Sequence, residues 1–296
     1  MKTPLVTELK HDSELFEQAK FDQLVAEKGS IALAFKQAIK DADTVLNQRF
    51  KRLENIKLII RRRAWVMDKL LQQLWSHYAC AQCPGIALLA VGGYGRAELH
   101  PHSDIDLMIL IKDEAAAKPF HDDLSTFVTQ LWDIGLEVGH SVRTLQQCAE
   151  LAASDITIAT NLMEARTIHG DPQLAREMQE LTGPARIWDA KSFFTAKWTE
   201  QIARYDKFSN TEFNLEPDLK SAPGGLRDIQ NIGNLGVGQA FFGEEDQRLP
   251  LVFGQKLHRL PHFQLDQQPM GDLLRFLTAI GQRLERCIGF CWLGIQ

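Results

Sequence analysis

The sequence predicts an α+β (α/β) fold: a small mixed sheet flanked by helices, with helical segments before and after it. Three observations carry this expectation. Residues 30–78 contain no glycine or proline and repeat their apolar residues at helical spacing. Two short apolar runs, 86–91 and 105–111, lie among glycines and prolines in the manner of buried strands. The segments run helices, then strand-helix-strand, then helices, without the long βαβα alternation of a doubly wound sheet.

The elements follow in order. Val45, Phe50, Leu53, Ile56, Ile59 and Ile60 mark a helical stripe in the first 80 residues. Arg61-Arg62-Arg63 lies inside it and reads either as a solvated helix face or as a phosphate-facing patch. Cys83-Pro84-Gly85 breaks the helix. Ile86–Val91 then reads as a strand closed by Gly92-Gly93, Ile105–Ile111 as a second strand, Phe120–Trp132 as a helix and Gly135–Val142 as a third strand. From Thr144 to about Lys207 the pattern is helical, and a Pro/Gly-rich loop follows at 216–228. The expected organisation is a helical segment over 1–80, a core over 81–147, a helical segment over 148–230 and a divergent tail over 231–296.

Composition excludes several classes. A 45% hydrophobic, 24% charged chain is neither disordered nor fibrous. A net charge of −5 does not favour nucleic acid or an acidic membrane as partner. No window approaches the roughly 18 apolar residues of a membrane span, and the N-terminus lacks a secretory apolar region. Five cysteines, an odd number, fit a reducing cytoplasm better than a disulfide framework. Cys80/Cys83 and Cys287/Cys291 are too far apart and too unlike in spacing to favour a zinc site over idle thiols.

The chemistry concentrates in 92–107, GGYGRAELHPHSDIDL. Asp104 and Asp106 are two apart at the head of an apolar strand, so both project to one face. Paired carboxylates repel unless a cation lies between them, and Mg²⁺ is held by one or two carboxylates together with substrate phosphates. Upstream, Gly92, Gly93 and Gly95 let the backbone approach an anion, and Arg96 offers a fork suited to phosphate. Taken singly, the acid pair reads as surface acids and the glycines as a plain turn. Their combination between two apolar strands describes a nucleotide site.

These residues resemble the nucleotidyltransferase superfamily typified by DNA polymerase beta. Four blocks extend the likeness: GGYGRAELHPHSDIDLMIL, LWDIGLEVGHSVRTLQQC, TNLMEARTIHGD and LEPDLKSAPGGLRDIQ. In this order they resemble the bifunctional uridylyltransferase/uridylyl-removing enzymes of nitrogen regulation, over about residues 40–230. The resemblance implies that Asp104 and Asp106 hold Mg²⁺, and that Gly92, Gly93 and Arg96 hold the triphosphate of UTP. It implies transfer of UMP to a tyrosine of the PII signal protein, with release of pyrophosphate. Ser103 falls in the same nucleotide-binding set. Glu137 is the candidate third carboxylate, against the plainer reading of an edge-strand acid; Asp133 and Asp155 are weaker alternatives. Arg143 reads as a phosphate contact or as a partner of buried carbonyls. Lys220 and Arg227, around Gly224-Gly225, suit a nucleotide or the PII surface, or simply flank a turn.

Full-length members of that family add a metal-dependent HD hydrolase domain and two glutamine-sensing ACT domains, for which this length leaves no room. His121-Asp122 lacks companion histidines and reads as surface helix. After residue 230 the family pattern stops, and nine of the 20 glycines fall in the last 66 residues without a motif, which predicts a truncated or frameshifted end. Three functions are therefore open: uridylylation of PII, transfer to another acceptor such as glutamine synthetase, and a nucleotide-binding or inactive remnant without turnover.

Overall fold

The computed structural model describes residues 11–78, 84–209 and 218–231. Cys80, Cys83, Cys287, Cys291 and the expected divergent tail beyond Asn231 lie outside them. The chain divides into two compact units, Met1–Gly183 and Pro184–Gln296. Among the described residues no helix is long and apolar enough to cross a membrane.

The first unit opens with α1 (Gln18–Lys28), α2 (Ile31–Lys51) and α3 (Ile56–His77). The helical segment expected over 1–80 thus contains three helices, and the stripe over 30–78 is interrupted once, between α2 and α3. Gly29 ends α1 in the left-handed region, at φ 63°. Leu53 is also left-handed (φ 61°), and the Asn55 side chain then caps α3 by accepting from the Lys57 N–H. The arginine run resolves into ion pairs: Arg62 with Glu54 and Arg63 with Asp43.

The sheet follows, with β1 (Ile86–Ala90), the single turn α4 (Gly92–Gly95), β2 (Ile105–Ile111), α5 (Glu114–Ala117), α6 (His121–Asp133) and β3 (Val138–Thr144). His121 and Asp122 are exposed at the start of α6. Next come α7 (Leu145–Ser154), α8 (Ile156–Met163), β4 (Arg166–Gly170) and α9 (Pro172–Thr182). β4 corrects the unbroken helical reading of 144–207. Strand order is β3-β2-β1-β4, with β3 parallel to β2 and the other two pairings antiparallel. β1 and β2 form the centre, and β1 is buried at every residue. Such continuous apolarity marks strands covered on both faces. Trp75 of α3 and Phe127 of α6 meet edge to face at 4.9 Å, inside the core.

The second unit contains α10 (Pro184–Ile187), α11 (Ala190–Asp206) and, beyond it, the loop and helical turn of 218–231. Asp189 caps α11, accepting from the Lys191 and Ser192 N–H groups.

Candidate active site

Asp104 is exposed immediately before β2, and Asp106 is half-buried as its second residue. Continued one residue back from β2, strand alternation puts Asp104 on the Asp106 face. In the parallel register Asp106 stands opposite Gly139. A Cβ at position 139 would lie 2.7 Å from Asp106 Oδ1, and one at Gly92 would lie 3.1 Å from Asp106 Oδ2. The carboxylate therefore sits in a slot whose two walls are glycines. Gly92 is doubly constrained, because its φ of +58° also favours glycine. Asn161 of α8 borders the same slot, its Oδ1 3.9 Å from that Gly92 position. Sequence reasoning missed Asn161; the only signal was its place in the third block, TNLMEAR.

The glycine turn is a single helical turn closed by Gly95 N–H to Val91 C=O (2.9 Å) and Arg96 N–H to Gly92 C=O (3.1 Å). Gly93 passes close to Arg96 Nη2, 3.6 Å from where its Cβ would be. Arg96 itself turns inward. Its Nε donates to Glu98 at 2.9 Å and its Nη1 to Glu164 at 2.6 Å. Burial opposes its charge, but Glu164 and Glu98 hold its pKa above the ordinary value. Two of the three nitrogens of this guanidinium thus engage carboxylates of the protein, and Nη2 faces Gly93. Ser103 is exposed, and its N–H donates to His100 C=O at 3.2 Å.

Glu137 lies one residue before β3. Its carbonyl accepts from the Ile105 N–H at 2.9 Å, so it heads β3 as Asp104 heads β2. It is two residues from Gly139, hence on the face of the acid pair, and it is exposed. The competing acids are placed elsewhere: Asp155 caps α8 by accepting from the Thr157 N–H at 2.7 Å, and Asp133 accepts from Gln130 at 3.2 Å. Arg143 shares the Gly139 face of β3 but lies four residues further on, about 13 Å at ~3.3 Å per residue. There it neighbours the buried Cys148, whose thiol burial pushes up to about 11.

Among the described residues no three His, Cys, Asp or Glu side chains gather as a metal cluster. Two carboxylates on one face nevertheless fit Mg²⁺, which completes its octahedron with phosphate oxygens and water. The glycine slot supports this fit, because it leaves the Asp106 carboxylate uncovered by any neighbouring Cβ at positions 92 and 139.

Lys220 and Arg227 belong to the second unit, and both are exposed. Their loop is closed by Arg227 N–H to Lys220 C=O at 3.0 Å and Leu226 N–H to Leu219 C=O at 2.9 Å. Asp228 fastens it from within: it accepts from Arg204, from the Tyr205 hydroxyl and from the Gly224 N–H.

The family described as Putative nucleotidyltransferase DUF294 matches residues 40–144, which contain the turn, the acid pair and β3. GlnD PII-uridylyltransferase matches residues 192–237, which contain the second loop. A bifunctional uridylyltransferase/uridylyl-removing enzyme of Pseudomonas putida (strain W619) is 51% identical over 221 residues, covering 75% of this chain. The enzyme of the same name in Pseudomonas fluorescens (strain SBW25) is also 51% identical over 221 residues. That of Ectopseudomonas mendocina (strain ymp) is 49% identical over 232 residues, 78% of this chain and 26% of its own length. This chain is a relative of these enzymes. It spans about a quarter of the length of the curated relatives it matches, 24% for the first two. The four-stranded mixed sheet flanked by helices agrees with the nucleotidyltransferase fold that the resemblance implied.

Proposed function

We propose that this chain transfers UMP from UTP to a tyrosine hydroxyl of a PII-type signal protein, with release of pyrophosphate. The observation that carries the reading is the acid pair at the head of β2, with Asp106 slotted between Gly92 and Gly139. The names of the relatives supply the choice of UTP and PII. Asp104 and Asp106 would hold Mg²⁺, which when bound neutralises phosphate charge and stabilises the departing pyrophosphate. The chain's own work is placement. Asp106 is fixed by β2–β3 pairing, Gly92 and Gly93 admit phosphate close to the backbone, and Asn161 borders the opening. In this reading Glu137 acts as the third carboxylate, and Ser103, Arg143, Lys220 and Arg227 serve as further nucleotide contacts. Arg96 would reach a phosphate through Nη2, the arm beside Gly93, while Nε and Nη1 stay on Glu98 and Glu164.

The test is Mg²⁺-dependent transfer of label from UTP to PII, with ATP as the competing donor and glutamine synthetase as the competing acceptor. Asp104→Asn and Asp106→Asn should each lower transfer by at least about 10³-fold, since a catalytic metal contributes several kcal/mol. Transfer retained in Asp106→Asn overturns the assignment. UTP binding without transfer in the unaltered chain would make it a nucleotide-binding module instead.

A further inference from the structure

The short segment from the end of α8 into the first residue of β4, Glu164-Ala165-Arg166, touches the glycine turn three times. Gly95 packs against it so closely that a Cβ there would stand 2.4 Å from the Glu164 carbonyl oxygen. Glu164 accepts from Arg96 at 2.6 Å, at one end of the turn. Arg166 grips the same C-terminal half of the turn, with Nε donating to the Gly95 carbonyl and Nη2 to the Tyr94 carbonyl, each at 3.3 Å. The same guanidinium forks onto Asp68 of α3, Nη1 to Oδ2 at 2.6 Å and Nη2 to Oδ1 at 3.0 Å. Asp68 Oδ1 also accepts from the Tyr94 hydroxyl at 2.6 Å. Tyr94 is fully buried, and the Arg166 guanidinium lies 5.5 Å over its ring. Burial and the nearby Asp68 push the phenol well above its ordinary pKa, so it stays protonated and donating.

A buried ion pair is weak evidence of stability, because apolar side chains of similar volume often serve as well. Arg166 does something an apolar residue cannot: it fixes two carbonyls of a turn that is three-quarters glycine. Glycine loses the most conformational freedom on ordering, so such a turn keeps one shape only when its surroundings impose it. The turn's position also sets the gap between Gly92 and the Asp106 carboxylate. We propose that Arg166, supported by Asp68 and Glu164, is a positioning residue that holds the Gly92–Arg96 turn in register with Asp106 for nucleotide binding. This rests on the reading of that turn as part of a nucleotide site.

The experiment uses the full chain and the variants Arg166→Ala, Arg166→Lys and Tyr94→Phe. The first readout is steady-state transfer at saturating PII. Arg166→Ala should raise the KM for UTP about tenfold or more while the KM for PII stays unchanged, since small misplacements near reacting groups cost up to about 10². Arg166→Lys keeps the charge but loses the fork, and should restore only part of the loss. The second readout is amide exchange across residues 92–98, which needs no activity. It should quicken about tenfold in Arg166→Ala and measurably in Tyr94→Phe, with β2 unchanged. If the unaltered chain transfers no nucleotide, the proposed function fails and exchange alone decides the clasp. Unchanged exchange in Tyr94→Phe together with Arg166→Lys overturns it, even where Arg166→Ala does not fold. A UTP KM within twofold of the unaltered value in folded Arg166→Ala overturns it as well.

Discussion

Among the described residues, two glycine-rich turns with a nearby arginine are built in opposite senses. Around Asp106 the glycines make room for a functional group: Gly92 and Gly139 line a carboxylate, while Arg96 is pulled inward by Glu98 and Glu164. At 218–231 the glycines make room for the backbone: Gly225 lies under the Ala222 and Leu219 carbonyls, and Gly224 takes φ +78°. There the carboxylate, Asp228, is the inward group and Arg227 faces out. Similar composition thus makes a carboxylate slot in one unit and a staple in the other. Which charge is free to meet a ligand depends on partners distant in sequence.

The largest expected effect tests the glycines themselves. Gly139→Ala should reduce transfer by about 10²-fold, because its Cβ displaces Asp106 Oδ1 by a fraction of an ångström to an ångström. Its melting temperature should move little, since position 139 is exposed and its φ is not positive. Gly225→Ala should do the reverse, losing about 1–3 kcal/mol of stability, with UTP KM unchanged at temperatures where it is folded. Equal phenotypes in paired activity and melting measurements would erase the contrast.

The arginines come next. Arg96→Ala leaves Glu164, a carboxylate with 10% side-chain exposure, without its ion pair. A loss of about 2–3 kcal/mol by denaturant titration is expected. Arg227→Ala should stay within about 0.5 kcal/mol, as exposed substitutions do; a raised UTP KM without destabilisation would place its charge at the nucleotide.

The smallest effect concerns pH. Burial depresses the pKa of His100, four residues from Arg96, and that of His169 on β4. The unfolded chain then binds protons more readily than the folded one. The stabilisation is present above the ordinary histidine pKa of about 6.5 and is lost as pH falls through the depressed folded values. Melting temperature should therefore drop between pH 7.5 and 5.5, and drop less in His100→Gln. The 218–231 segment contains no histidine and contributes nothing to this slope.

The parts legible in the sequence are those governed by local pattern. β2 appears at 105–111 as expected because seven residues of nearly unbroken apolarity admit few alternatives, and the acid pair stands at its head. β4 was hidden because Arg-Thr-Ile-His-Gly is short, half polar and set between two helices; its strand character comes from pairing with β1. β3 was found but displaced, at 138–144 instead of 135–142, since Gly135 ends α6 in a turn at φ +82° before the strand begins. The inward partner of Arg96 was hidden for a related reason: Glu164 is 68 residues away, and no spacing rule connects them. Asp155 illustrates the opposite case, a cap that Asp before Ile-Thr-Ile could have signalled.

The sheet order has a consequence for synthesis. β1 lies between β2 and β4, so its second partner leaves the ribosome some 80 residues after β1 itself. Until then, the edge of β1 that β4 will occupy is unpaired, an opening for wrong partners. A nascent chain stopped before Glu164 would already carry both aspartates, all three glycines of the turn and Glu98, yet lack the backbone that closes on Gly95 and the second carboxylate on Arg96. The acid pair and its turn are thus synthesised early, and the contacts that hold the turn arrive late, with Glu164 and Arg166.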